Sequence, residues 1–267
     1  MLAAALAAAL TTFALLGAAR AQEGDSRAPP FITTPDDVVE RMLALAGTGA
    51  GDFVIDLGSG DGRIVIAAAR KFGARGLGVE IDARLVAQSR ENARRAGVAE
   101  RATFEEGNVL TADLGRATVV TLYLLPSLMD KLESRLLQDL RPGARIVSHA
   151  FPMTGWKPDR TATMRIARRH QGQGDESRIF LWVVPAQVRG TWQGRDWRLR
   201  ISQNFQAIEI EGEAGGRPLA VTQAKIEGTA LSFSGEGFDF RGRAGTGRIV
   251  GELQRGGIAS QLVLTKQ

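Results

Sequence analysis

Asp56-Leu57-Gly58-Ser59-Gly60-Asp61-Gly62-Arg63 follows the apolar run Phe53-Val54-Ile55 and opens into Ile64-Val65-Ile66-Ala67-Ala68-Ala69. That order reads as buried strand, glycine turn and helix, the build of a loop that holds a nucleotide-type cofactor. Glycines let a ligand come close to the main chain, and the start of the helix presents N–H groups with no intrahelical partner. A dinucleotide fingerprint, G-x-G-x-x-G, would need glycine where this chain has Arg63. Two carboxylates, Asp56 and Asp61, flank the turn. At a few ångströms and intermediate dielectric each would repel a pyrophosphate by roughly a kcal/mol or more. S-adenosylmethionine carries a sulfonium and an ammonium and no phosphate, so it is the cofactor expected here. About 18 residues further on, Gly76-Leu77-Gly78-Val79-Glu80 reads as a second strand ending in an acid, where such folds bind ribose hydroxyls.

Upstream of the loop, Thr34 is expected to cap a helix with Pro35 at its first position, and Val38, Val39, Met42, Leu43 and Leu45 form its apolar face. This places Thr33 and Thr34 near the cofactor loop. Downstream the strand and helix pattern repeats. A strand near 75–80 leads to a helix from about Ala83 to Ala96 that stops at Gly97, and a third strand, Ala102 to Glu106, precedes Gly107-Asn108. A fourth, Ala117 to Leu122, runs into Tyr123-Leu124-Leu125-Pro126, with Ser127 expected to cap the next helix. Ala144 to Ser148 is the fifth strand, and a loop over 151–160 is placed to cover the site. Thr161 to Arg168 and Arg178 to Val184 then read as an antiparallel hairpin. The fold class is therefore α/β, a Rossmann-like seven-stranded sheet of methyltransferase type.

From Val188 the apolar period changes to two, as in Trp197, Leu199 and Ile201, or Phe238 and Phe240. Leu219 and Val221 are out of phase with Ala224 and Ile226, which predicts a bulge or bend. A C-terminal antiparallel β domain, either barrel or sandwich, is expected over 187–267, after a methyltransferase domain over 31–186. At the other end, Leu2 to Ala19 is almost wholly apolar, and Ala19-Arg20-Ala21 fits a cleavage site. Residues 1–21 read as a signal peptide and 22–30 as a linker, giving an exported, periplasmic protein, with an uncleaved membrane anchor as the alternative.

The formal charge of +5 is spread without basic tracts, so no nucleic-acid partner is expected. With no cysteine and only His149 and His170 as histidines, thiol chemistry is excluded and no metal centre is expected. His149, at the end of the fifth strand, is a candidate to take a proton, with a satisfied structural histidine as the preferred reading.

Thr33-Thr34-Pro35 with Val38 to Leu43, the loop from Asp56 to Arg63, Gly76 to Glu80, and Tyr123-Leu124-Leu125-Pro126 together resemble the class I S-adenosylmethionine-dependent methyltransferases. More narrowly they are similar to bacterial relatives of the mitochondrial lysine methyltransferases that act on the ATP synthase c subunit and the adenine nucleotide translocase. The resemblance implies protein-lysine methylation, with a protein substrate that can be membrane-associated. In that frame Asp56, Gly58 and Gly60 serve the methionine part, and Ser59 and Asp61 of the same loop, with Thr33 and Thr34 beside it, also bind the cofactor. Glu80 serves the ribose, Asn108 the adenine edge unless it is a turn residue, and Tyr123 lines the amine channel as the catalytic candidate unless it is plain core packing at a strand end. A small-molecule methyltransferase and a non-catalytic exported binding protein remain alternatives.

Overall fold

In the computed structural model, residues 32–166 and 175–267 are described; the expected signal peptide, the linker and the tip of the 161–184 hairpin lie outside them. Helix α1 (Asp36–Leu45) buries Val38, Val39, Met42 and Leu43 along one stripe. It begins later than a Thr34 cap requires. Pro35 holds the cap position and has no side-chain acceptor to offer, while Asp37 Oδ1 accepts from Val38 N at 2.9 Å within the first turn. Thr34 is 3% exposed and its Oγ1 lies 3.2 Å from His149 Nδ1. A buried imidazole left without a partner costs more than a helix end that water can reach, so the hydroxyl goes to the ring.

The chain then alternates through β1 (Phe53–Leu57), α2 (Arg63–Lys71), β2 (Arg75–Glu80), α3 (Ala83–Arg95), β3 (Ala102–Glu106), β4 (Val119–Leu122), α4 (Pro126–Asp139) and β5 (Arg145–His149). Two further strands, β6 (Arg160–Arg165) and β7 (Glu176–Val183), complete a seven-stranded sheet of order β3-β2-β1-β4-β5-β7-β6. All neighbours are parallel up to β5, and β7 runs antiparallel to both β5 and β6. The expected hairpin is therefore present, inserted so that its second strand pairs with β5. The sheet is buried on both faces. Ile55, Leu57, Val120, Leu122, Ile146 and Trp182 pack with Met129, Leu132 and Leu136 of α4. The alternate residues Val54, Val119, Val147 and Leu181 pack with α1 and α2. Helix α4 starts on Pro126 with Leu125 as its cap residue, and no side chain caps it. Ser127 is exposed and falls inside the first turn, because a proline, lacking the N–H, is suited to the first helical position.

The strand order reverses between β1 and β4, so the crevice where open α/β sheets bind ligands lies at the carboxyl ends of those two strands. That is where the glycine loop and Tyr123 sit.

The C-terminal strands are β8 (Gly190–Gly194), β9 (Trp197–Asn204), β10 (Ala207–Ala214), β11 (Arg217–Pro218), β12 (Val221–Glu227), β13 (Ala230–Gly235), β14 (Phe238–Gly245), β15 (Arg248–Arg255) and β16 (Ile258–Lys266). They form one antiparallel sheet in which β16 returns to pair with β8, and β10 lies in contact with β12 without a ladder between them. The result is a single curled sheet, nearer a barrel than a two-sheet sandwich. Between Val221 and Gln223 the pairing with β13 shifts register, which is the bulge expected where the apolar phase breaks. Trp192, Trp197, Leu199, Phe233 and Phe240 fill the interior, each 3% exposed or less.

A buried glutamine ties the two sheets' connection down. Gln203 Oε1 accepts from Val188 N at 2.7 Å and Arg189 N at 3.2 Å, and its Nε2 donates to Ala186 O at 3.0 Å and Phe205 O at 2.8 Å. All of its amide capacity goes into fixing this turn of chain.

Candidate active site

The loop after β1 folds back on β2. Gly58 N and Ser59 N both donate to Val79 O, at 2.9 and 3.1 Å. Gly58, Gly60 and Gly62 have φ of 80, 53 and 82°. At Gly62 an added Cβ would also lie 2.7 Å from Phe104 and Ser89, so the position excludes a side chain on two counts. The loop delivers Gly60 N to Glu80 Oε2 at 2.9 Å, while Glu80 Oε1 accepts from Ile81 N at 2.8 Å and Asp82 N at 3.0 Å. Three backbone bonds thus orient a carboxylate with about four acceptor sites, and capacity remains for a ligand hydroxyl.

Asp56, at the end of β1, is 2% exposed and accepts from Thr121 Oγ1 at 2.6 Å. Burial pushes its carboxyl up to about 7; the Thr121 bond works against that rise, and the neighbouring charges of Asp61 and Glu80 add to it. Asp61 itself is turned to Arg63, with Nη2 at 2.6 Å. Arg63 Nη1 also donates to Thr34 O at 2.9 Å, so the ion pair clamps the loop to the segment before α1. The Ser59 hydroxyl is buried with no hydrogen-bond partner, facing the point where an added Cβ on Gly78 would meet it at 2.6 Å.

Tyr123, at the end of β4, is half-buried, and the adjoining Leu124 reaches over Gly58. The Tyr123 ring centroid is 4.3 Å from that of His149 and 6.4 Å from that of Phe151, nearly parallel to the latter at 16°. His149 is satisfied on both sides, by Thr34 at Nδ1 and by Ser177 Oγ at 2.9 Å from Nε2. Burial pushes its pKa down to about 4, so the ring is neutral.

Asp56, Gly58, Gly60, Glu80, Thr34 and Tyr123 are thereby joined around one crevice, with Thr33 half-buried beside it. Asn108 is exposed. Its Oδ1 accepts from Leu110 N at 2.9 Å and its carbonyl accepts from Thr111 N and Ala112 N, the arrangement of a turn residue. Sequence reasoning passed over Thr121, whose partner Asp56 is 65 positions away, and the exposed Ile81 and Leu125. Ile81 has a local signal, an apolar residue directly after the strand-end acid.

The 151–160 loop is a fixed wall. Gly155 N donates to Glu133 Oε2 at 3.0 Å, Trp182 Nε1 to Trp156 O at 2.8 Å, and Val183 N to Asp159 Oδ2 at 2.7 Å.

These residues fit the expected methyl donor. Asp56, with the carboxylates of Asp61 and Glu80 close enough to raise its pKa, favours a cationic ligand, and Glu80 offers acceptor capacity to a diol. Among the described residues no group of three metal-ligating side chains gathers.

The family model for the ANTKMT methyltransferase domain matches residues 56–160. A protein-lysine N-methyltransferase from Saccharolobus islandicus is 42% identical over 130 residues, covering 48% of this chain and 81% of that one. The human lysine N-methyltransferase of the ATP synthase c subunit is 32% identical over 177 residues, 66% of this chain and 69% of that one. In the solved structures, an RNA methyltransferase from Salinibacter ruber in complex with S-adenosyl-L-homocysteine shares 48% identity, with a TM-score of 0.53, over 59% of this chain and 96% of that one.

Proposed function

The chain belongs to the ANTKMT methyltransferase family, and from that premise we propose that it transfers a methyl group from S-adenosylmethionine to the side-chain amine of lysine in a protein. The observation that carries this reading is the gathering of Asp56, Asp61 and Glu80 at the β1 and β2 ends, with the Tyr123 and Phe151 rings at the neighbouring ends of β4 and β5.

Bound there, S-adenosylmethionine supplies a methyl already activated by its sulfonium. The protein's own part is to align the partners and to receive the amine unprotonated; alignment alone can contribute several kcal/mol. Glu80 accepts from the ribose hydroxyls, Asp56 faces the ammonium, and Gly58 and Gly60 admit the methionine portion against the backbone. Ile81 offers an apolar face to the base. Tyr123 and Phe151 line the approach of the lysine stem. Their apolar surfaces favour the neutral amine over the ammonium. With both ring nitrogens of His149 engaged, that histidine holds Thr34 and supports Tyr123 and takes no proton from the amine. The amine gives up its proton to solvent.

Labelled donor incubated with total protein and RNA tests this. Mass spectrometry finding methyl groups on lysine is the expected result, and label confined to RNA or small molecules overturns it. Transfer to RNA is the second reading, favoured by the description of the Salinibacter ruber relative. Interior packing of the β domain by tryptophan and phenylalanine leaves the small-molecule reading without the ligand-binding barrel it asked for. Export is proposed from the apolar Leu2 to Ala19 run and the Ala19-Arg20-Ala21 site. Terminal sequencing of protein from a periplasmic fraction should begin at Gln22, and an intact Met1 in a membrane pellet would point to the anchor instead.

A further inference from the structure

Resting on the methyl-transfer reading, we propose that the C-terminal β domain sets the acceptor side of the crevice, by holding the 151–158 segment and through it the Phe151 and Tyr123 rings.

The connection can be followed bond by bond. At the β9–β10 turn, Phe205 takes φ of 52°, uncommon outside glycine, and its ring stacks on Trp156 at 5.2 Å and 14°. The next residue bonds the same loop twice. Trp156 Nε1 donates to Gln206 Oε1 at 2.7 Å, and Gln206 Nε2 donates to Lys157 O at 2.6 Å. Trp156 is fully buried in this junction. The turn that carries it is itself fixed, because Gln203 Nε2 donates to the carbonyl of Phe205.

At the other end of the segment the chain leaves β5 through Ala150, with φ of 66° and a bond from Phe151 N to His149 O at 2.8 Å. That is a three-residue turn of the strained hand. Ser148 Oγ donates to Phe151 O at 2.7 Å and locks it. Strain of this kind persists only where surrounding contacts over-determine it, and such positions gather at functional sites. Here the turn lays Phe151 against Tyr123, and the β domain grips the chain five residues later. Trp156 and Gln206 are thus positioning residues. Donor-binding groups Gly60 and Glu80 are held by β1 and β2 and do not depend on this junction.

Because Tyr123 is the only tyrosine in the chain, ring-labelled tyrosine yields a single NMR signal. In the full-length protein, Gln206→Ala and, separately, Trp156→Phe, which keeps the stacking ring but removes the donor, should shift or broaden that signal. Either should lower kcat/KM for the acceptor by about tenfold, the scale of one broken buried hydrogen bond, while adenosylhomocysteine affinity stays unchanged. Ile258→Ser, at an exposed strand start in the same domain, should move neither. An unmoved tyrosine signal with unchanged acceptor kinetics in both folded variants overturns the proposal, as does an equal loss of donor affinity. The signal is read without any acceptor. A shifted signal in a protein that methylates no lysine therefore upholds the coupling while removing the functional reading.

Discussion

The two sheets handle their polar groups in opposite ways. The β domain is saturated: its interior is aromatic and aliphatic, and its buried Gln203 has every donor and acceptor engaged. The β1 and β4 ends are left unbalanced, with Asp56 buried beside two other acids, Ser59 without a partner, and three glycines in left-handed conformations. A protein bears such costs where a ligand compensates them. The contrast supports the proposal of ligand chemistry at the first sheet and of a supporting role for the second.

The largest effect that would sharpen this contrast is in the saturated region. Phe233→Ala empties space beside Trp197 and Phe240 and should cost about 3–5 kcal/mol of stability by calorimetry. Adenosylhomocysteine affinity measured well below the transition should survive. Its loss would mean that the second sheet shapes the donor side too.

A smaller effect is expected from pH. Asp56 has its folded pKa raised to about 7 from 3.8. The folded state then holds the proton more firmly than the unfolded one, so the group's contribution to stability is full below about pH 4 and is lost as pH rises through 7. Donor binding has the opposite slope, because the ammonium needs the ionised carboxylate. Affinity should fall by up to about tenfold per unit as pH drops below 7, and Asp56→Asn should flatten the profile. His149 moves the other way: its pKa is depressed to about 4, so its stability contribution is present above 6.5 and is lost as pH falls through 4. The smallest effect is that of Thr34→Val, which removes one partner of His149 and should cost about 1–2 kcal/mol in a thermal melt, with a modest rise in acceptor KM through Tyr123.

Much of the first sheet was legible because its signals are local. Each of the glycine loop, the strand-end acid Glu80 and the hairpin without a helix shows in its own short run of adjacent residues. So does the phase break at Val221, which marks the bulge. What stayed hidden depends on pairs far apart in sequence. Thr34 looks like a cap until His149, 115 positions later, claims its hydroxyl. The pairing of Asp61 with Arg63 does not show in the loop motif itself, and the 151–160 segment is a fixed wall because Glu133, Trp182 and Val183 bond to it within the first domain and Gln206 bonds to it from across the junction. Barrel-like curling could not be read from strand period alone, since it rests on β16 reaching β8.

Calorimetric titration of adenosylhomocysteine into the wild-type protein and Glu80→Ala tests the central claim most directly. Micromolar binding by the wild type and no measurable heat with the variant is the predicted result. Equal binding by both would contradict the assignment of this acid-lined crevice to the methyl donor.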